Sequence, residues 1–210
     1  MMMRKSVAAM AICGLVMAGV AGFGSATAQQ EKAKAKAKTK KHEHEKVEAK
    51  VKAKPVTEAI ASLIPTKGSD VKGWVKFTRK GDKVEVRAEV SGLTPGDHGF
   101  HIHEYGVWSE DGMASGGHYN PTDMPHAGHD AHERHVGDFG NITAGENGVA
   151  TLVLEDSGVR FQGPTSILGR GVVVHEKADD LKSQPSGDAG ARLAVGVIGV
   201  AKPSEVEHQQ

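Results

Sequence analysis

The sequence predicts an all-β fold, an antiparallel sandwich or barrel, that follows an export signal and a basic linker. Three observations predict the β fold. From Pro55 onward apolar residues recur with a period of two, glycine is plentiful at 27 residues, and aromatic residues make up only 4% of the chain. Alternation of this kind is typical of half-buried strands, and abundant glycine favours short strands joined by tight turns. No stretch shows a convincing helical stripe.

The first 28 residues have the pattern of a signal peptide. Arg4 and Lys5 give a charged start, residues 6–23 are largely apolar, and residues 26–28 form a small-residue cleavage site. An uncleaved membrane anchor is the alternative, because the apolar run approaches the length that spans a bilayer. The pattern predicts export to a periplasmic or extracellular location. The only cysteine, Cys13, lies in this segment, so the mature chain is expected to form no disulfide.

Residues 29–54 are predicted to be a disordered linker. They contain 10 lysines and 4 glutamates with many alanines, and they have no apolar face. Such a segment cannot bury enough surface to offset the entropy of ordering. Residues 55–210 carry 22 acidic and 14 basic side chains, so an acidic domain follows a basic arm. A solvated linker is the favoured interpretation of the arm, and an electrostatic tether to an anionic envelope surface or to nucleic acid is the alternative. No specific nucleic-acid partner is expected.

Residues 55–210 are predicted to form one domain of about eight strands. The clearest feature is a hairpin, in which residues 74–78 and 84–90 alternate in polarity on either side of a turn at residues 80–82. The other strands are predicted at residues 56–64, 100–104, 141–144, 149–154, 171–175 and 193–200. Two long gaps, residues 105–138 and 176–191, interrupt them. Long connections without secondary structure in a compact domain are usually functional.

Histidines are concentrated on these strands and in the first gap. His101 and His103 flank Ile102 on a strand, so a period of two projects both imidazoles from the same face. His175 ends a run of three valines, so a buried strand delivers its side chain on a fixed backbone. These three residues are therefore better metal-ligand candidates than a lone histidine on a strand.

The first gap contains His118, His126 and His135, and Asp138 follows three residues after the last of them. Three imidazoles and one carboxylate make a closed tetrahedral shell of the kind that zinc takes in structural sites. The gap is rich in glycine and proline, so a metal would supply the order that apolar packing does not. The alternative is an exposed histidine-rich loop, a description that fits His129 and His132.

Five motifs then occur in order along the chain. They are GFHIHEYG at 99–106, GGHYNP at 116–121, ERHVGDFGN at 133–141, GRGVVVHEKADD at 169–180 and ARLAVGVIGVA at 191–201. In sequence and spacing they resemble the copper-zinc superoxide dismutases, and the resemblance runs from about Val56 to Ala201. It implies an eight-stranded antiparallel Greek-key β-sandwich or barrel with two long functional loops.

The resemblance also assigns ligands to two metal ions. It implies that copper is bound by four histidines: His101, His103, His118 and His175. It implies that zinc is bound by His118, His126, His135 and Asp138. His118 would then bridge both ions as an imidazolate, because two cations beside the ring replace its protons.

Further roles follow from the same resemblance. Asp179 resembles the carboxylate that accepts hydrogen bonds from His101 on the copper side and His126 on the zinc side, which would fix both rings. Arg192 resembles the active-site arginine, whose guanidinium would attract a small anion. His98 resembles a structural histidine near the copper strand.

The implied activity is that of an oxidoreductase, which dismutes superoxide to dioxygen and hydrogen peroxide. Copper would cycle between Cu(II) and Cu(I), and zinc would order the site. A copper- and zinc-buffering protein on a dismutase-like fold is the alternative, but buffering needs no arginine that guides an anion. Copper-only relatives lack the zinc ligands, which are present here.

Two departures from the family pattern stand out. Gly112 and Val195 occupy the positions where the family usually has its disulfide cysteines, and the loop between Asp180 and Arg192 is short, with Lys182 as its only cation. Steering of superoxide by this loop is therefore weaker than in animal members.

A homodimer is also expected from the resemblance. Tyr105, Gly106, Gly169 and residues 197–200 resemble the contact region of the dimeric members, and Trp108 could extend that apolar patch. The alternative is a monomer in which Trp108 packs under its own loop.

Overall fold

The computed structural model describes residues 23–48, 54–109 and 111–204. Contacts between residues divide the chain into two units, Met1–Lys54 and Pro55–Gln210. In the described ranges, no helix combines the length and the apolar character that crossing a membrane requires. The signal peptide expected at residues 1–28 falls mostly outside these ranges, and it stays a prediction.

The first unit contains one helix, α1, which spans Phe23–Glu48. This differs from the disordered linker that the sequence predicts for residues 29–54. The physical reason is composition, because alanine, lysine, glutamate and glutamine are strong helix formers even without a packing partner. Residues 29–42 of this helix are all exposed, so it is held by its own backbone hydrogen bonds. Whether the segment serves as a linker stays a prediction.

The second unit is a closed antiparallel barrel. Its strands are β1 Glu58–Pro65, β2 Lys72–Lys80, β3 Lys83–Ser91, β4 Gly96–His103, β5 Asp138–Ala144, β6 Val149–Asp156, β7 Gly171–His175, β8 Arg192–Val197 and β9 Gly199–Val200. The order around the sheet is β2-β3-β6-β5-β4-β7-β8-β1, and the additional pairing of β1 with β2 closes it. The predicted all-β fold with eight antiparallel strands is confirmed.

The last predicted strand, residues 193–200, is broken into β8 and β9 at Ile198. The Ile198 N–H donates to the Arg170 carbonyl, and its carbonyl accepts from the Gly169 N–H, both at 2.9 Å. The backbone at Ile198 is therefore paired with the loop before β7 instead of with β1. Its side chain is only 1% exposed and fills the core, which explains why its apolar character alone suggested an unbroken strand.

Besides the two long loops that the sequence predicts, the barrel has a third long loop, residues 157–170. Val159, Phe161 and Ile167 of this loop are at most 1% exposed, so it packs into the core despite its irregular backbone. An isolated bridge between Arg160 and Ser166 closes it. The spacing of these apolar residues follows neither the helical nor the strand period, and so the sequence pattern does not reveal the loop's buried role.

Two adjacent strands provide the buried base of the site. All five residues of β7 are buried, as expected for its continuous apolar run, and residues 98–103 of β4 are buried as well. The two strands are paired, with Phe100 opposite Val174 and His101 opposite Val173. A rigid backbone therefore carries His101, His103 and His175.

Candidate metal centre

The strand histidines converge as the period of two predicts. The side chains of His101 and His103 are both buried, at 0% and 1% exposure. His175, at the end of β7, brings its Nε2 to 3.2 Å from His103 Nε2. The first loop adds His118, which forms an isolated bridge with His103 and places its ring centroid 3.9 Å from that of His101. Each of these four histidines offers a nitrogen to one common cluster.

The hydrogen bonds show which nitrogen of each strand histidine faces this cluster. His101 Nε2 lies 2.8 Å from Asp179 Oδ2, His103 Nδ1 lies 3.0 Å from the Gly116 carbonyl, and His175 Nδ1 lies 3.3 Å from the Gly190 carbonyl. Each acceptor fixes an N–H on the outer nitrogen and leaves a lone pair on the inner one.

The inner nitrogens of the cluster include buried atoms that lack any partner. Among the described residues, His101 Nδ1 and His118 Nε2 are both in this condition. A buried polar atom without a partner costs free energy, so it points to an absent ligand. Four inward imidazole nitrogens suit copper. The residues present therefore fit a copper ion at this cluster.

A second cluster surrounds one oxygen of Asp138. Asp138 Oδ1 lies 2.8 Å from His118 Nδ1 and 3.1 Å from the Nδ1 atoms of both His126 and His135. A tetrahedral zinc site with bonds of about 2.0–2.1 Å has donor atoms about 3.3 Å apart, close to these separations. His126 Nδ1 is also buried without a hydrogen-bond partner. The three nitrogens and one oxygen therefore fit zinc.

One ring belongs to both clusters. His118 directs Nδ1 towards Asp138 and leaves Nε2 for the strand histidines. Its side chain is only 1% exposed, so bulk water has almost no access to either ring nitrogen. The two sites are therefore adjacent and share His118, in the arrangement that the sequence resemblance implies.

The electrostatics of the first cluster favour neutral rings. Burial lowers the pKa of His101 to about 4, against the opposing effect of Asp179. Burial together with nearby histidines lowers the pKa of His103 and of His175 well below the usual range. Metal ligation requires an imidazole lone pair, so these rings are ready to bind at neutral pH without losing a ring proton.

In the second cluster, neighbouring charged groups outweigh the effect of burial on the pKa values. Burial lowers the pKa of His126, but Asp138 and Asp179 outweigh it and raise that pKa to about 9. Burial raises the pKa of Asp138, but the three imidazoles beside it lower that pKa far below the usual range. A buried carboxylate surrounded by imidazoles is the charge distribution that a divalent cation completes.

Asp179 links the two clusters from outside. Its Oδ2 lies 2.8 Å from His101 Nε2 and its Oδ1 lies 2.9 Å from His126 Nε2, as the sequence resemblance implies. Gly187 makes this possible, because a Cβ at that position would lie 1.7 Å from Asp179 Oδ1. Asn141 holds the backbone of Asp179 at both polar groups, at 2.7 and 2.9 Å.

Gln184 is a contact that the sequence analysis missed. Its Oε1 accepts the His126 N–H at 2.8 Å, and its Nε2 donates to the His126 carbonyl at 2.8 Å. The second long loop thus clamps the backbone of one histidine of the first. A side-chain amide that pairs with a backbone 58 residues away leaves no periodic pattern, so no sequence signal reveals it.

Arg192 lies where β8 begins and is half-buried. Its guanidinium donates to the carbonyls of Gly112 and Gly116 and, at 2.9 Å, to Ser115 Oγ. Ser115 was missed, because an isolated serine in a loop carries no distinguishing pattern. Burial lowers the pKa of Arg192.

Three other predicted features can be placed. His98 is buried, with Nδ1 2.8 Å from the His175 carbonyl, so it supports the strand that ends in a cluster histidine. His129 belongs to neither cluster, and its Nε2 lies 3.3 Å from Asp156 Oδ2. Gly112 and Val195 are neighbours, because a Cβ on Gly112 would lie 2.8 Å from Val195 Cγ2.

The chain is similar to known proteins in both sequence and structure. The family profile described as copper/zinc superoxide dismutase matches residues 71–198. The extracellular superoxide dismutase [Cu-Zn] of Drosophila melanogaster is 45% identical over 154 residues, which cover 68% of this chain and 85% of the relative. The crystal structure of the clock protein EA4 superposes with a TM-score of 0.66 at 39% identity, over 70% of this chain and 97% of that one.

The barrel and the two clusters that share a histidine define a β-barrel metalloprotein with paired metal sites. The sequence matches then identify the family. The chain belongs to the copper/zinc superoxide dismutases, whose family implies copper and zinc as cofactors.

Proposed function

We propose that the protein dismutes superoxide, converting two superoxide anions and two protons into dioxygen and hydrogen peroxide. Copper would be held by His101, His103, His118 and His175. Zinc would be held by His118, His126, His135 and Asp138. The observation that carries this proposal is the position of His118, whose two nitrogens face different clusters. Family membership supports the same reaction.

The metals and the chain supply different parts of the chemistry. Copper, when bound, supplies one-electron redox chemistry, and zinc supplies a redox-silent charge. Asp179 and the carbonyls of Gly116 and Gly190 hold the rings in one tautomer. His118 Nε2 is buried without a partner, so it can hold and hand on one of the protons that the peroxide needs.

Arg192 would bind and orient the substrate anion. In the described part of the chain, Arg192 forms no ion pair with a carboxylate, so its charge remains available to an anion. Between Asp180 and Arg192 the second loop offers only Lys182 besides it, and a single guanidinium attracts an anion less strongly than a cluster does. We expect the rate to fall as salt is added, because salt screens this attraction.

A superoxide-decay measurement tests the function directly. The protein loaded with both metals should accelerate superoxide loss catalytically, with turnover far above one per copper. The metal-buffering alternative predicts tight metal binding without turnover, so a loaded protein that consumes no superoxide catalytically would overturn the proposal. The Lys182→Ala variant serves as a control, since it should keep the activity at high salt.

Export is supported by the similarity to an extracellular relative and by the signal-peptide pattern of residues 1–28. Helix α1 begins before the predicted cleavage site, so cleavage after Ala28 would leave residues 29–48 of the helix on the mature chain. Its residues 29–42 include six lysines and one glutamate, a charge that favours an anionic envelope surface. Sedimentation with anionic vesicles tests this, because chains with and without residues 29–54 should differ in binding at low salt. Equal binding by the two chains would contradict the tether.

A homodimer is the partner that the apolar surface favours. Tyr105, Trp108 and Met113 of the first loop are exposed by 54%, 47% and 63%, and Val197 and Val200 of the last strands by 47% and 63%. Large apolar side chains exposed on neighbouring segments are typical of a protein interface. Light scattering should give twice the chain mass at micromolar concentration, and a monomer there would contradict the proposal.

A further inference from the structure

Arg192 is held in place without a disulfide beside it, although two of its neighbours are close enough to form one if both were cysteines. Gly112 and Val195 are neighbours, but neither is a cysteine, and the only cysteine of the sequence is Cys13. The position of Arg192 therefore depends on non-covalent contacts. We propose that Ser115 and Thr66 are the positioning residues of Arg192, Ser115 acting on the guanidinium and Thr66 on the backbone. This inference rests on the proposed function of Arg192.

Ser115 fixes the guanidinium end. Its side chain is fully buried, its Oγ accepts Arg192 Nη1 at 2.9 Å, and its hydroxyl donates to the Gly112 carbonyl at 2.8 Å. Because the hydroxyl hydrogen is committed to Gly112, the oxygen lone pairs are turned towards the arginine. The Gly112 carbonyl accepts from the same Nη1. The three groups form a closed triangle that defines the plane of the guanidinium.

This triangle is connected to the copper cluster. Arg192 Nη2 donates to the Gly116 carbonyl at 2.6 Å, and the same oxygen lies 3.0 Å from His103 Nδ1. Ser115 and Gly116 are consecutive, and the Ser115 carbonyl accepts the Tyr105 N–H at 2.9 Å. One short segment thus orients both the arginine and a copper-side histidine. A shift of Ser115 would move the cation relative to that histidine.

Thr66 fixes the backbone end. Its Oγ1 donates to the carbonyl of Arg192 at 2.6 Å and lies 3.1 Å from that of Leu193, while its N–H donates to the Leu193 carbonyl at 2.9 Å. Thr66 is 6% exposed and directly follows β1. The adjacent Pro65 carbonyl accepts the Trp108 indole N–H at 3.2 Å. The turn after β1 therefore holds both the start of β8 and the first loop.

The test measures anion binding instead of fold stability. Azide is titrated into the protein loaded with copper and zinc, and its affinity is followed by the change in the copper absorption spectrum. Ser115→Ala and Thr66→Val should each weaken azide by about threefold to tenfold, the effect of one lost hydrogen bond. Thr66→Ser keeps the hydroxyl and should restore the affinity. Ser166→Ala, which loses a bond to the Phe161 carbonyl far along the chain, should change nothing.

The Arg192→Gln background separates this inference from the proposed function. If Arg192→Gln leaves azide affinity and turnover unchanged, the proposed role of the arginine is wrong. If Arg192→Gln weakens azide, Ser115→Ala should have no further effect in that background, because interacting residues are not additive. Wild-type azide affinity in both Ser115→Ala and Thr66→Val would overturn the positioning roles. An equal loss of azide affinity from Ser115→Ala in the wild-type and in the Arg192→Gln background would also overturn them, since it would show a general structural effect.

Discussion

At the scale of single residues, the centre is organised by which nitrogen of each ring is fixed from outside. Asp179 fixes two rings at once, at 2.8 Å from His101 Nε2 and 2.9 Å from His126 Nε2. Its own pKa is held well below the usual range, because hydrogen bonds from both histidines outweigh the effect of burial. An ionised carboxylate therefore accepts from one histidine of each metal site.

Asp179→Asn should loosen both metals. The amide has one acceptor oxygen, so its NH₂ group would face the N–H of one of the two rings. Partners of this kind typically change metal affinity by about 10–100-fold. The rates of copper and zinc transfer to chelators provide the measurement. Asp188→Asn is the matched control, because Asp188 is exposed in the same loop and should keep wild-type rates. Wild-type retention of both metals in Asp179→Asn would contradict the linking role.

At the scale of elements, the strands present some of the proposed ligands and the loops fold back to supply the others. β4 and β7 are buried and paired, so His101, His103 and His175 stand on fixed backbone. The zinc-side residues His118, His126 and His135 come from a loop with little regular structure. That loop is held by contacts with the second loop, above all the amide of Gln184 on the backbone of His126.

Gln184→Ala should therefore speed the loss of zinc more than the loss of copper. Both hydrogen bonds to the His126 backbone disappear, and His126 belongs only to the zinc cluster. We expect zinc transfer to a chelator to be about tenfold faster, as for the loss of one or two net hydrogen bonds. Lys182→Ala, in the same exposed turn, is the control. Equal release of zinc from the two variants would show that the clamp has no effect.

How well each element was predicted depends on whether the contacts that stabilise it leave a pattern in the local sequence. The β strands and the His101–His103 pair were predictable, because burial on one face produces a period of two in the sequence. Helix α1 was missed, because its lysines and alanines give propensity without an apolar face. The break at Ile198 and the contacts of Ser115, Thr66 and Gln184 depend on hydrogen bonds to distant backbone, which impose no local pattern.

At the scale of the whole molecule, the barrel has a closed core but no disulfide, because Cys13 is the only cysteine of the sequence. The loops around the metal centre therefore rely on packing, hydrogen bonds and the metals. A ligand that binds only the folded state stabilises it by about 4 kcal/mol at a thousand times its dissociation constant. We expect the metal-free protein to melt far below the metal-loaded one, with thiol reductants changing neither midpoint. A midpoint that drops with reductant would contradict this.

Gly112→Cys together with Val195→Cys should create a disulfide in the metal-free protein. The positions are close, since a Cβ on Gly112 would lie 2.8 Å from Val195 Cγ2. Gly112 has a φ of +82°, so the new side chain costs about 1–2 kcal/mol against the about 2–4 kcal/mol of a disulfide. The melting temperature should rise by about 5 °C. Free thiols under oxidising conditions would show that the two positions do not approach in solution.

One ring, His118, lies in both clusters and would serve two metal ions. Metal analysis of purified His118→Ala beside His129→Ala tests it most directly, because His118 belongs to both clusters and His129 to neither. We expect His129→Ala to retain one copper and one zinc per chain, whereas His118→Ala should release both far more readily. Wild-type retention of both metals in His118→Ala, or loss of zinc from His129→Ala, would contradict it.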